Sequence, residues 1–196
     1  MMCGVALVSG AMALAQVRQE PSTGASQTTP TAPTNGENGI NSAQLPSNAI
    51  QDKDFVHSAL EGGMAEVQMG QLAAQKGSSD DVKQFGQKMV QDHTQMGDQM
   101  KQVAQQLGVS EPKGLSKKDK AEVAKLSSLS GPEFDKAYIA AMLKEHKKDL
   151  SDFRAEAQNT QNPAVKQLAQ QGAQMIDQHM QMAEQLAKAH NQVASK

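Results

Sequence analysis

DDVKQFGQKMVQDHTQMGDQMKQVAQQL, residues 80–107, decides the fold. Its apolar side chains fall at Val82, Phe85, Met89, Met96, Met100, Val103 and Leu107, and His93 fills the one gap in that series. Steps of three and four residues put them all on one stripe of an α-helix, where 3.6 residues make a turn. Gly108 follows as a stop, and Ser78, Ser79 and Asp80 precede as capping residues. The rest of the segment is Gln, Lys and Asp, so the helix must bury one face against other helices.

Three more segments repeat the pattern. One reads Phe55, Ala59, Gly62, Glu66, Gly70, Ala73; the next Ile139, Met142, His146, Leu150, Phe153, Ala157; the last Val165, Leu168, Gly172, Met175, His179, Met182, Leu186. Their boundaries follow from local chemistry. The first helix is expected from about Asp52 to Lys76, stopped by Gly77. Gly131-Pro132 and Asn162-Pro163 open helices reaching about Gln158 and Val193, each with proline where a helix tolerates it. A short charged helix, Ser116 to Leu129, occupies the connection between the second and third long helices. The joints after the first and third are short, which predicts antiparallel hairpins. The reading is an all-α, ferritin-like antiparallel four-helix bundle, with the extra short helix in its crossover.

Composition agrees with helices. The chain has four Phe, one Tyr and no Trp among 196 residues, too few large and β-branched side chains for a sheet core. A net charge of −2 excludes the basic stripe that nucleic acid requires. No stretch beyond the N-terminus is long and apolar enough to span a bilayer. Met1 to Ala15 is small, apolar and uncharged, and closes with Ala13-Leu14-Ala15 before Gln16, the pattern of signal-peptide cleavage, although no Lys or Arg precedes Arg18. Export to the periplasm or cell envelope is therefore expected. Residues 16–50, rich in Pro, Ser, Thr, Gly and Asn, read as a disordered linker, leaving residues 51–194 as the folded domain. Cys3 is the only cysteine and leaves with the signal, so disulfides, thiolate metal sites and cysteine nucleophiles are excluded.

Glu66, His93, His146 and His179 each interrupt an apolar stripe near mid-helix. Polar groups are costly to bury without partners, so four such interruptions predict that the side chains meet. Counted from the turns, Glu66 and His93 differ in level by roughly 4–5 Å, as do His146 and His179, so each pair can face across its own hairpin. Three imidazoles and a carboxylate form a shell for one transition-metal ion, Zn, Cu or Fe. The same set also suits a buried His–Glu network, with Tyr138 nearby, that serves packing alone. Met residues at His93/Met96 and His179/Met182 add a soft-ligand pattern suited to copper, and thioethers equally fill core space. Asp92, Glu145, Asp149 and Asp177 flank these helices as further hydrogen-bond partners or as solvated faces, and His57 and His190 fall off the stripes. Gly62-Gly63 reads as a place where helices approach closely. No phosphate loop, HExxH or nucleophile elbow is present.

Asp54-Phe55-Val56, Gly63-Met64-Ala65-Glu66-Val67, the run from Val82 to Thr94 with its Met-Val-x-Asp-His, and Phe134-Asp135-Lys136-Ala137-Tyr138-Ile139 resemble the DUF4142 family across about Gln51 to Ala189. The resemblance implies an exported ferritin-like bundle, labelled an outer-membrane protein in some members, and supplies no activity. Ferritin-like di-iron sites carry Glu three residues before each His; here those positions are Val90 and Ile176, which counts against a di-iron centre. The expected role is a non-enzymatic envelope module, for binding or protection, with a mononuclear metal site; the alternatives are a purely structural bundle and copper or iron handling through His and Met.

Overall fold

A computed structural model of the protein describes residues 47–193, and the expected signal peptide and most of the expected linker lie outside them. Five helices form: α1 (Ser47–Lys76), α2 (Asp80–Leu107), α3 (Lys117–Ser128), α4 (Gly131–Asn159) and α5 (Pro163–Val193). There is no strand among the described residues. The first helix begins at Ser47, about five residues before its expected start and inside the stretch read as linker. Among the described residues no helix is long and apolar enough to cross a membrane.

The ends obey the local chemistry. Gly108, with φ of 68°, adopts the left-handed conformation that closes α2, and its own N–H and that of Val109 return to the carbonyls of Gln105 and Ala104 at 3.2 and 2.8 Å. The Asn162 side chain accepts from the N–H groups of Ala164 and Val165 ahead of α5. Ser116 accepts from the Asp119 N–H and opens α3. Ser79 departs from expectation, because at the N-cap of α2 its side chain makes no capping bond. It donates instead to Asp135 in α4.

That carboxylate, fully buried, receives four hydrogen bonds at 2.7–3.0 Å from the amides and hydroxyls of Ser78 and Ser79. Burial alone would raise the pKa of Asp135; the Ser78 and Ser79 donors more than offset it and hold the group ionised. The α1–α2 turn is thereby tied to the start of α4.

The helices α1 and α2 pack as one hairpin and α4 and α5 as another, with α2 against α5, α1 against α4, and α3 laid over α1 and α4. Close approach within the first hairpin occurs at Gly70 and Gly86, where a Cβ on either would come within 2.9 Å of the other's carbonyl oxygen. In the second, Gly172 makes room for the Phe153 ring, which an added Cβ would meet at 2.2 Å. Gly62 and Gly63 do not play this part, since a Cβ there meets nothing within 4 Å.

Buried apolar side chains form two clusters. One gathers Met69, Phe85, Met89, Phe134, Tyr138 and Met142. The other gathers Val56, Leu60, Met100, Leu150, Phe153 and Leu168. Along α2, α4 and α5 the residues that separate the two clusters are His93, His146 and His179. The fold thus consists of two apolar clusters with a polar layer between them.

Candidate metal centre

Glu66, His93, His146 and His179 are all buried, at most 5% exposed, and the four side chains converge. The Nδ1 of His93 lies 3.0 Å from Glu66 Oε2. On the other side of that carboxylate, His146 Nδ1 is 3.4 Å from Oε1, without hydrogen-bond geometry. His146 Nε2 is 3.3 Å from His179 Nδ1, and His179 Nε2 is 2.7 Å from Asp92 Oδ2, which also takes the Lys88 ammonium at 2.8 Å. The three rings surround a common space, with centroids 5.2–5.7 Å apart. One nitrogen from each lies within 4.8 Å of the other two.

Charge settles which rings can serve as ligands. Burial raises Glu66, but the His93 imidazole first and His146 next pull it down to about 2. Burial depresses His93, and the Glu66 carboxylate outweighs it, so the pKa of His93 is raised. For His146 burial dominates and His93 adds to it, outweighing the Glu66 charge and the Met142 backbone carbonyl, so the pKa is lowered. Burial, with His93 and His146, brings His179 down to about 4 despite Asp92. His146 and His179 are thus neutral near pH 7, the state in which imidazole ligates metals.

The tautomers follow from the partners. Asp92 is a carboxylate that only accepts, so His179 Nε2 carries the proton and Nδ1 is a lone pair. That lone pair takes its hydrogen from His146 Nε2. Neutral His146 is then bare at Nδ1, facing the equally bare Glu66 Oε1, although the Met142 carbonyl also favours a proton on this ring. These two atoms and His93 Nε2 are buried with no hydrogen-bond partner. Two acceptors against each other in a core are unfavourable.

Other sequence candidates separate. Tyr138 is fully buried and stacked on Phe134, but its hydroxyl has no partner, so it is not a member of the network; burial, and then the charge of Glu66, hold it protonated. Glu145 pairs with Lys118, and Asp177 with Arg154. Only Asp92 of the flanking acids contacts an imidazole. Met96 belongs to one apolar cluster and Met182 packs against the other, so the two thioethers are set on opposite sides of the histidine layer. His190, passed over in the sequence, lies near Ser79 and Asp81, yet both approach the same nitrogen, Nε2, at 3.4 Å, and Ser79 gives its proton to Asp135. That arrangement orients no nucleophile.

Fold and site together define an all-helical protein with a buried histidine cluster held by two carboxylates. The chain belongs to the DUF4142 family, described as a domain of unknown function, which matches residues 38–186. Among solved structures it is similar to a DUF305 fragment from Deinococcus radiodurans, with a TM-score of 0.63 and 17% identity over 70% of this chain and 96% of that one. That likeness concerns the fold. No curated protein matches the chain.

Proposed function

We propose that this protein binds one divalent transition-metal ion through His93, His146 and His179, with Glu66 and Asp92 orienting the rings. The carrying observation is the set of buried atoms without partners. An ion held by His93 Nε2, His146 Nε2 and His179 Nδ1 frees His146 to carry its proton on Nδ1. The N–H groups of His93 and His146 then donate to the two oxygens of Glu66, and that of His179 to Asp92. Each ring nitrogen and each Glu66 oxygen is satisfied at once, in the carboxylate–histidine–metal pattern. The 3.3 Å between His146 Nε2 and His179 Nδ1 equals the edge of a tetrahedron with metal–nitrogen bonds of about 2.0–2.1 Å. One nitrogen from each ring already lies within 4.8 Å of the other two, so such a set closes by at most about 1.5 Å to reach that edge.

Three imidazole nitrogens suit Zn²⁺, Cu²⁺ or Fe²⁺ once the ion displaces the proton that Glu66 favours on His93, and the set contains no bridging carboxylate for a second ion. Glu66 contributes charge compensation from outside the coordination sphere. The two hairpins joined by a long crossover support a ferritin-like four-helix arrangement, and the Ala13-Leu14-Ala15 ending supports export to the periplasm or envelope. In that setting the role is non-enzymatic, to hold or buffer metal.

The test is elemental analysis of full-length untagged protein from metal-supplemented cells. Near-stoichiometric Zn, Cu or Fe is expected, lost in His93→Ala/His146→Ala. A metal-free parent, still folded by circular dichroism, sinks the proposal and leaves a packing network.

A further inference from the structure

On the far side of His93 a cavity of about 430 Å³ opens among α1, α2, α4 and α5. Part of its wall is bare backbone. Gly62 and Gly63 in α1 and Gly97 in α2 line it, and a Cβ on any of the three meets nothing within 4 Å. Glycine weakens a helix interior relative to alanine. At Gly70 and Gly86 close helix packing accounts for it; at these three positions packing does not. What their missing side chains preserve is space.

The rest of the lining has two characters. Phe55, Leu60, Met96, Met100, Phe153 and Ile176 supply an apolar body. Glu66 and His93, each 5% exposed, form its inner polar end. Asp149 also lines it, with the neighbouring Lys148 ammonium at 3.7 Å. Toward the mouth, Asp98, Glu111 and Asp152 add three carboxylates against the ammoniums of Lys101 and Lys148. The excess is negative, and its field is focused by low-dielectric walls.

We propose that this cavity binds a small organic cation, an apolar body with one protonated amine that pairs with Asp149. Size and lining are those of a small-molecule pocket, mostly apolar with a few polar groups fixing orientation. This goes beyond the metal centre. The pocket shares His93 and Glu66 with it, but the amine partner and the glycine wall are separate, so the amine enters with or without an ion.

The experiment is isothermal titration, at about pH 8 where both the Asp149 carboxylate and the ammonium are charged, of chelator-treated full-length protein with 2-phenylethylamine, beside the shape-matched 2-phenylethanol and 3-phenylpropanoate. The amine is expected to saturate at least tenfold more tightly than the alcohol, with the carboxylate weakest. Gly63→Leu and Gly97→Leu, which grow a side chain into the space, should each weaken the amine at least tenfold while helicity and melting are kept. Asp149→Asn should bring the amine to the level of the alcohol, an outcome that does not depend on the glycine variants folding. No saturation in the millimolar range, undiminished binding in both leucine variants, or preference for the carboxylate would overturn the proposal. Because the titration uses metal-free protein, its failure is distinct from failure of the metal reading.

Discussion

Glu66 is the residue on which the polar layer turns. Its Oε2 faces His93 and its Oε1 faces His146, at 3.0 and 3.4 Å. A carboxylate can accept from both rings at once, whereas a carboxamide has only one acceptor oxygen. Glu66→Gln therefore leaves one imidazole N–H opposed by an amide N–H, and that ring loses the partner that sets its tautomer and tilt. The expected outcome is a 10–100-fold loss of metal affinity, roughly the effect of removing an orienting partner of a ligating histidine. Competition against a chromophoric chelator measures it. Unchanged affinity would mean that Glu66 neither orients the rings nor compensates the charge of the ion. Asp92 acts on His179 in the same way, with the difference that Lys88 shares its carboxylate.

At the scale of elements, the helices were legible because their signals are local. The stripe from Val82 to Leu107, the stop at Gly108 and the proline openings at Pro132 and Pro163 need only neighbours in sequence, and each stands where it was read. Convergence of Glu66 with the three histidines was legible for a related reason: an ionisable residue inside an apolar stripe has to find partners. The parts that were not legible depend on contacts between distant segments. Asp135 reads as one more polar residue in the first turn of α4, and only the fold brings Ser78 and Ser79 to it. A glycine in a helix looks the same whether a neighbouring backbone presses on it, as at Gly70 and Gly86, or nothing does, as at Gly62 and Gly63. The assignment of close packing to the second pair was wrong for that reason. Tyr138 sits near the histidines in register, yet its hydroxyl makes no bond to them. The separation of Met96 from Met182 likewise depends on which apolar cluster each side chain enters, which helical spacing does not specify.

For the whole molecule, carboxyls in and beside the core, together with the buried imidazoles, set the pH at which the metal-free fold is strongest. Asp149 is pushed up to about 7 by burial and then by the Glu66 charge, with Glu145 and Asp152 adding to it and Lys148 opposing. Glu156 is also raised to about 7, by burial and by hydrogen bonding to Asp52. A carboxyl raised on folding stabilises the fold below its unfolded pKa, and that stability is lost as pH rises through the folded value. Asp135 is lowered, so its contribution is present above the unfolded pKa and lost as pH falls toward the folded one. The neutral burial of His146 and His179 works against the Asp149 and Glu156 decline below the ordinary imidazole range, so the metal-free protein should melt highest on a plateau between about pH 5 and 6.5, and lower by about pH 8. Asp149→Asn should flatten that decline. A melting temperature that climbs steadily from acid to about pH 8 would contradict this assignment of the buried carboxyls.

The proposed function rests on one ion held by three imidazoles between two apolar clusters. X-ray absorption at the edge of the bound metal, on full-length protein loaded with one equivalent and dialysed, tests that claim most directly. Three nitrogen scatterers at about 2.0–2.1 Å with the outer-shell pattern of imidazole, and no sulfur, are expected. A sulfur shell, an all-oxygen shell, or metal that dialyses away from folded protein would contradict it.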